Sequence, residues 1–289
     1  MEIYSNFCLP PVITRDAAEL YQQAYGHENA YFFDANVAHR CDFRRFDFEC
    51  VYRQNDTALL DNLIQLRHGE LGALDFFNNC QITDATRRAN AVIITPFRAV
   101  AERINADRLA QINAPVVSYT GVLSGTFSER DVPAPMNLTL KVGALVVFVK
   151  NSDKWHNGSM GIVQNLTARE ITVQLLNKDR DIVTVRPDKW EKIEYTRDEN
   201  DRVIENEVGS FKQFPLNLGY AMTIHKAQGK TLDAVVVDIS RGAFAHGQTY
   251  VALSRTRSAT DMHIATPLRP RDVIFDSRVL SFVDANQPS

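Results

Sequence analysis

Short hydrophobic runs separated by polar residues and prolines set the pattern of this chain. Residues 91–95 are apolar without alternation and end at Pro96, and residues 234–239 form a similar valine-rich run. Runs of this kind are typical of strands buried on both faces of a parallel sheet. Residues 56–68 instead carry one apolar helical stripe, made of Leu59, Leu60, Leu63, Ile64 and Leu66. Asp56 is suited to cap the start of this helix and Gly69 to end it.

The same criteria predict further elements on either side of these segments. We expect helices over 16–25, 97–112 and 216–226, and strands over 1–13, 30–33 and 46–52. Strands that alternate with helices indicate an α/β layer built on a parallel sheet.

The pattern changes near Val132, and from 138 to 195 the segments are short and rich in β-formers. Asn157-Gly158 is a tight-turn signal between two of these segments. Four or five short strands in this stretch predict a small barrel inserted into the α/β domain. The charged stretch 196–207 is interpreted as the linker that returns to the first domain. The predicted organisation is therefore 1–135 and 206–289 for the α/β domain, with a barrel over 136–205.

Composition restricts the class of protein only broadly. The chain has 289 residues, 45% hydrophobic and 23% charged, with a net charge of −3. This is ordinary for a globular protein, and no apolar run approaches the roughly 20 residues that span a bilayer. The N-terminus does not have the pattern of a signal peptide, so we expect a cytoplasmic or nucleoid-associated protein without membrane contact. The four cysteines are scattered and predict neither a zinc site nor a disulfide framework.

Two polar clusters, 223–231 and 254–257, bracket the run 234–239, and they are rich in groups that bind anions. Gly229-Lys230-Thr231 looks like the end of a phosphate-binding loop, G-x-x-x-x-G-K-[ST]. That motif needs a glycine at position 224, where the chain has Ile224, and a strand before the loop. The order here is a helix first and a strand afterwards. We therefore reject the P-loop interpretation.

Four segments carry a resemblance to a known family. They are VYRQND (51–56), NLTLKVGALVVFVKN with NGSMGIV (137–163), YAMTIHKAQGKTLDAVVVD (220–238) and YVALSRTRS (250–258). In this order they resemble the C-terminal half of superfamily 1 DNA helicases of the RecD type, which include the PIF helicases. The resemblance covers nearly the whole chain. It implies an α/β fold, namely a RecA-like parallel sheet flanked by helices and interrupted by a small inserted β-barrel.

The chain departs from the family at the amino-terminal side. These helicases carry a first RecA-like domain with a P-loop and an acidic pair for magnesium, and neither has a match here. Residues 6–12, NFCLPPV, look like an altered remnant of the motif that follows that domain. The resemblance thus implies ATP and Mg²⁺ in a complete enzyme, held mainly by the missing domain. We expect the chain alone to be inactive, and no residue of it is assigned to a metal.

The resemblance also implies roles for individual residues. Arg53 and Arg255 would be catalytic fingers at the ATP γ-phosphate, because guanidinium is always charged and binds phosphate bidentately. Gln228 and Gly229 would join them in nucleotide binding. The residues implied for contact with single-stranded DNA are Thr95, Pro96, Phe97, Thr223, His225 and Lys226. Movement would be 5′ to 3′, in DNA repair or recombination.

Other interpretations stay open at this stage. Both arginines can be surface residues in ion pairs, and His225 or Phe97 can serve the core instead of a ligand. Trp155 and Trp190 are either core aromatics or base platforms, with the core favoured. The chain itself can be half of a split helicase with a separate P-loop-bearing partner. Alternatively, it is a non-catalytic single-stranded DNA-binding or protein-docking remnant.

Overall fold

The computed structural model of the chain describes residues 15–25, 31–34, 36, 40, 53–128, 132–177, 179–197 and 202–285. The strands expected over 1–13 and 46–52 lie outside these residues. The described α-helices are α1 (Arg15–Tyr25), α2 (Thr57–Arg67), α3 (Ala73–Asn78), α4 (Ala85–Ala89), α5 (Arg98–Ala110), α6 (Ile224–Ala227), α7 (Gln248–Leu253) and α8 (Ser277–Ala285).

The described β-strands are β1 (Val92–Thr95), β2 (Val117–Thr120), β3 (Val122–Gly125), β4 (Asn137–Leu140), β5 (Leu145–Phe148), β6 (Met160–Leu166), β7 (Ile171–Leu175), β8 (Ile182–Val185), β9 (Asp188–Arg197), β10 (Val203–Gln213), β11 (Leu216–Leu218), β12 (Ala221–Thr223), β13 (Val235–Val237) and β14 (Met262–Ile264). The chain divides into two compact units, residues 1–98 with 222–289 and residues 99–221. The predicted domain boundaries at 135 and 205 stay predictions.

A four-stranded sheet in the order β12-β1-β13-β14 organises the first unit. β1 runs parallel to β13, which runs parallel to β14, with Val92, Val235 and Met262 in register. Residues that precede these three strands therefore meet at one edge of the sheet, the amino edge, and residues that follow them meet at the other, the carboxyl edge. The parallel sheet predicted from the two unalternating runs is confirmed.

The start and the buried face of helix α2 follow from its local sequence. Asp56 accepts a hydrogen bond from the backbone N–H of Leu59 at 3.1 Å, which satisfies one of the free donors of the first turn. Leu59, Leu63 and Leu66 of the predicted stripe are buried. Burial raises the pKa of Asp56, but bonds from Ala259, Leu59 and Ser258 outweigh that effect and leave the pKa below its ordinary value.

The second unit is built on antiparallel sheets. One has five strands in the order β11-β5-β6-β7-β8, and two smaller ones pair β3-β10-β9 and β2-β4. Apolar side chains of the five-stranded sheet and of the β2-β4 pair form one core that includes Phe148, Val163, Val173 and the nearby Phe214. The short β-rich segments predicted over 138–195 are confirmed as strands.

The helix predicted over 216–226 is wrong over most of its length. Leu216 pairs with Phe148 across antiparallel strands β11 and β5, and only residues 224–227 are helical. Pairing with a strand distant in sequence overrides the local preference here. Gly219 follows the strand, and Thr223 caps the short α6 by accepting from the N–H of Lys226 at 3.3 Å.

The interpretation of 196–207 as a linker is also wrong. Arg197 pairs with Val203 and Glu207 with Ile193, so residues 196–197 and 203–207 belong to strands β9 and β10. The charged side chains of Arg202, Glu205 and Glu207 are exposed.

The strand predicted over 30–33 is a 3₁₀ turn at Phe32–Asp34 instead. Asp34 closes this turn, because its side chain accepts from the N–H of Tyr31 at 3.3 Å. The rings of Tyr31 and Phe33 are buried and stack on each other at 4.9 Å. None of the described helices is both long enough and apolar enough to cross a membrane.

Candidate functional site

Arg53 lies beside the amino edge of the parallel sheet. Its Nε donates to Oγ1 of Thr231 at 3.1 Å, and its Nη1 donates to the carbonyl of Ser254 at 3.4 Å. Thr231 precedes β13 and Ser254 follows helix α7. Three segments that are distant in sequence therefore meet at this guanidinium.

Arg255 lies next to Ser254 in the chain and bonds to the same turn as Arg53, but it is completely buried. Its Nε donates to the carbonyl of Val251 at 2.7 Å and its Nη2 to Oγ of Ser254 at 2.5 Å. Its Nη1 reaches the carbonyls of Ala227 and Lys230 at 3.3 and 3.4 Å. The guanidinium thus ties helix α7 to the segment 227–231. The structure brings Arg53 and Arg255, the two predicted arginine fingers, to the same segment, 227–231. Arg255, however, bonds to protein carbonyls there.

The segment 227–231 turns sharply between these two arginines. Gly229 has φ 76°, and a Cβ placed there meets nothing within 4 Å. Glycine is therefore required by the left-handed backbone and not by a close neighbour. Gln228 is half-buried and its N–H donates to the carbonyl of His225 at 3.2 Å.

Positive charges crowd this turn. Burial lowers the pKa of Lys230, and the neighbouring ammonium of Lys226 lowers it further. Like charges held close together favour the binding of an anion between them, since an anion relieves their repulsion. Arg53 bonds to Thr231 of the same turn, so the cationic side chains of Arg53, Lys226 and Lys230 lie on or beside it.

A polar pocket of about 490 Å³ adjoins the cluster. Its lining includes Asn55 and Asp56 after Arg53, Arg257 after Arg255, and Asp233 after the turn 227–231. Arg257 pairs with Asp233 at 3.5 Å, and Arg87 of the same pocket pairs with Asp261. These carboxylates balance the two guanidinium groups, so the pocket itself is less suited to an anion than the turn 227–231.

Thr95, Pro96 and Phe97 leave the opposite, carboxyl edge of the sheet after β1. Thr95 is 2% exposed and Pro96 is buried, whereas Phe97 is half-buried. Of these three residues, Phe97 therefore presents the most accessible side chain. Its ring lies 5.5 Å from that of Phe244.

Thr223, His225 and Lys226 lie together on the turn of α6. Thr223 is the N-cap, Lys226 is exposed, and His225 is half-buried. Burial lowers the pKa of His225, which keeps its imidazole neutral at neutral pH. Two residues after Lys226 the chain reaches Gln228 and the cationic turn, so the residues implied for DNA and for nucleotide are continuous along this segment.

Several residues that the structure brings to these two regions have no role predicted from the sequence. The sequence places Lys230 and Thr231 in the polar cluster 223–231 and in the rejected P-loop, and Ser254 in the cluster 254–257, without a role for any of them, and it does not single out Phe244. The polar character of 254–257 was a signal for Ser254. Nothing in the local pattern marks Phe244, because its exposure depends on packing.

The two tryptophans have structural partners. Trp155 packs on Phe148 with ring centroids 4.6 Å apart and donates from Nε1 to the carbonyl of Lys150 at 3.1 Å. Trp190 stacks on Phe211 at 5.6 Å. Among the described residues there is no group of three or more histidine, cysteine, aspartate or glutamate side chains that could hold a metal ion. Cys80 is buried, and burial raises its pKa to about 11.

Two of the proteins to which the chain is similar in sequence carry the same name. The chain is 36% identical over 244 residues to the ATP-dependent DNA helicase Pif1 of Bdellovibrio bacteriovorus, covering 80% of this chain and 52% of the relative. It is 26% identical over 300 residues to the Campylobacter jejuni protein of the same name, covering 97% of this chain and 65% of the relative. The chain thus spans about half to two thirds of these relatives. No known family profile matches it.

Solved structures agree with these relatives. Bacteroides sp. Pif1 in complex with ADP-AlF₄ matches with a TM-score of 0.79 and 29% identity, covering 96% of this chain and 64% of that one. Bacteroides Pif1 bound to single-stranded DNA matches with a TM-score of 0.69, at 29% identity and covering 96% and 65% of the two chains. The RecA-like α/β fold implied by the sequence resemblance is confirmed.

Proposed function

This chain corresponds to the C-terminal half of a superfamily 1 DNA helicase of the RecD/PIF type, and from that premise we propose that it is the motor half that completes an ATP site. In this proposal a P-loop half holds ATP and Mg²⁺, and the present chain supplies Arg53, Arg255 and the turn 227–231 to the γ-phosphate. Movement along single-stranded DNA is proposed to run 5′ to 3′.

The supporting observation is that Arg53 and Arg255 both bond to the turn 227–231 and to Ser254. Phosphoryl transfer is accelerated mainly by positioning and by neutralising charge, and guanidinium groups do both. When bound, ATP would supply the phosphoryl group that is transferred to water, and its metal ion would offset part of the phosphate charge. The chain's own residues orient the phosphate and offset its charge.

Because Arg255 is buried, it must change its hydrogen-bond partners before it can contact a phosphate. Its donors now bond to neutral carbonyl oxygens, whereas a phosphate oxygen would accept a stronger charge-assisted bond. We propose that Arg255 exchanges its bonds to Ala227 and Lys230 for a bond to phosphate when the two halves close on ATP. Arg53 is half-buried and needs a smaller rearrangement.

The test is ATP hydrolysis by the purified chain with and without a P-loop half from a Pif1-type relative. We expect negligible turnover alone and DNA-stimulated turnover after mixing. Arg53→Ala should lower the restored rate by about 10³-fold, the lower range for an arginine finger. Arg186→Ala is the matched control, because Arg186 is an exposed arginine paired with Glu170 at 3.2 Å.

DNA-stimulated hydrolysis by the chain alone would contradict the proposal. Single-stranded DNA binding without any restored turnover would instead favour the alternative function, a non-catalytic DNA-binding module. Steep salt dependence of that binding would distinguish it from a protein-docking module.

A further inference from the structure

Phe244 is an exposed aromatic residue at the carboxyl edge of the sheet. It lies in the segment between β13 and α7, and 58% of it is exposed. Phe97 follows β1, the parallel neighbour of β13, so the two residues leave adjacent strands at the same edge. Their ring centroids are 5.5 Å apart with planes inclined at 42°. The pair presents two aromatic rings at a position where the core does not cover Phe244.

The backbone around Phe244 is held in place. Gly242 has φ 86° and its N–H donates to the carbonyl of Ile239 at 2.8 Å, which closes a turn. The N–H of Phe244 donates to Oε1 of Gln248 at 3.1 Å. Gln248 is fully buried at the start of α7. A buried side chain therefore holds the backbone of Phe244 in place.

Arginines flank both aromatic residues along the chain. Arg98 follows Phe97, Arg241 lies three residues before Phe244, and both are exposed. A single exposed apolar residue is common on protein surfaces and needs no explanation. Two rings in contact, each with an exposed arginine within three residues along the chain, form a more specific combination. It is the combination that binds single strands, in which bases stack on rings and cations contact phosphates.

We propose that Phe244 and Phe97 form one stacking surface for the bases of single-stranded DNA, with Arg241 and Arg98 beside the phosphates. The inference rests on the proposed function, because it assigns a further residue to the same DNA interface. It extends that interface from the segment after β1 to the segment after β13.

The test measures binding of a short fluorescein-labelled oligothymidylate to the full chain by anisotropy across a salt series. Phe244→Leu should weaken binding by about five- to a hundredfold, the range for loss of one stacked base. The slope of log affinity against log salt should stay unchanged, because no charge is removed. Arg241→Gln should reduce that slope by about one. Phe244→Tyr keeps a stacking ring and should bind like the wild type.

Two controls make the result specific. Tyr195→Leu removes an aromatic residue that is 68% exposed on β9, and we expect it to leave affinity unchanged. An oligonucleotide of abasic residues should bind wild type and Phe244→Leu equally, because it has no bases to stack. Equal weakening by Phe244→Leu and Tyr195→Leu would overturn the inference.

The outcomes separate this inference from the function on which it rests. If the wild type binds the oligonucleotide and Phe244→Leu binds equally well, the stacking surface is refuted while the DNA-binding function stands. If the wild type does not bind single-stranded DNA at all, both are refuted.

Discussion

Arg53 and Thr231 are 178 residues apart, yet Nε of one donates to Oγ1 of the other at 3.1 Å. The next residue back, Lys230, offers its carbonyl to Arg255 at 3.4 Å. Both arginines therefore bond to the turn before β13, Arg53 through Thr231 and Arg255 through Lys230. A displacement of this turn necessarily changes the surroundings of both guanidinium groups.

Thr231→Val tests the first of these contacts. Valine keeps the shape of threonine but removes the hydroxyl acceptor of Arg53. We expect the free energy of unfolding to fall by about 0.5–1.5 kcal/mol, the net contribution of one hydrogen bond. Urea denaturation measures this change. Thr184→Val on strand β8 is the control, since Thr184 is exposed and valine suits a strand. An equal effect of both variants would show that the contact is energetically silent.

Arg255→Lys tests whether the buried guanidinium is part of the architecture. Lysine cannot reproduce the fork that reaches Val251, Ser254 and the carbonyls of the turn. Breaking a buried charged network should destabilise the chain by about 2–5 kcal/mol. Arg257→Lys is the control, because Arg257 is 57% exposed in its pair with Asp233. We expect that variant to change stability by less than about 1 kcal/mol. If urea denaturation gave wild-type stability for Arg255→Lys, the structural role would be refuted.

Gly125→Ala tests the packing of the β3-β10-β9 sheet. Gly125 has φ 62°, and an added Cβ would lie 2.2 Å from the carbonyl oxygen of Val208. Backbone strain and the clash should together destabilise the second unit by at least about 2 kcal/mol. Gly72→Ala is the control, because its Cβ meets nothing within 4 Å and its φ of −58° suits alanine. Thermal unfolding at the same midpoint for both variants would contradict the described register.

His246 predicts a pH dependence of stability. Its Nδ1 accepts the N–H of Asp276 at 2.6 Å, which requires an unprotonated nitrogen. Burial lowers the pKa of His246 below its ordinary 6.5, and the nearby carboxylate of Asp276 only partly opposes this. The unfolded state then binds more protons below pH 6.5, so stability falls as the pH drops through that value.

The measurement is urea denaturation of wild type and His246→Gln between neutral and mildly acidic pH. The variant should lose less stability on acidification than the wild type. The variant should still lose some stability as the pH falls, because burial also lowers the pKa of His225. Identical slopes for the two proteins would refute the role of His246.

Local sequence patterns established much of the fold. The cap at Asp56 with its leucine stripe, the apolar runs of β1 and β13, and the order of the four motifs each depend on residues close in sequence. Helical periodicity, capping and β-propensity act over a few residues and are therefore legible without a structure. These patterns predicted α2, the parallel sheet and the β-rich insertion.

Long-range contacts decided the rest. Residues 216–218 became a strand because Phe148 and its neighbours offered an antiparallel partner, and residues 196–197 and 203–207 became strand because β9 and β10 pair there. Arg255 is buried and bonds to the carbonyls of Ala227 and Lys230, which lie about 25 residues earlier in the chain. Phe244 is exposed although its local sequence does not distinguish it. Pairing and burial depend on residues brought together from distant positions, and no window of adjacent residues contains that information.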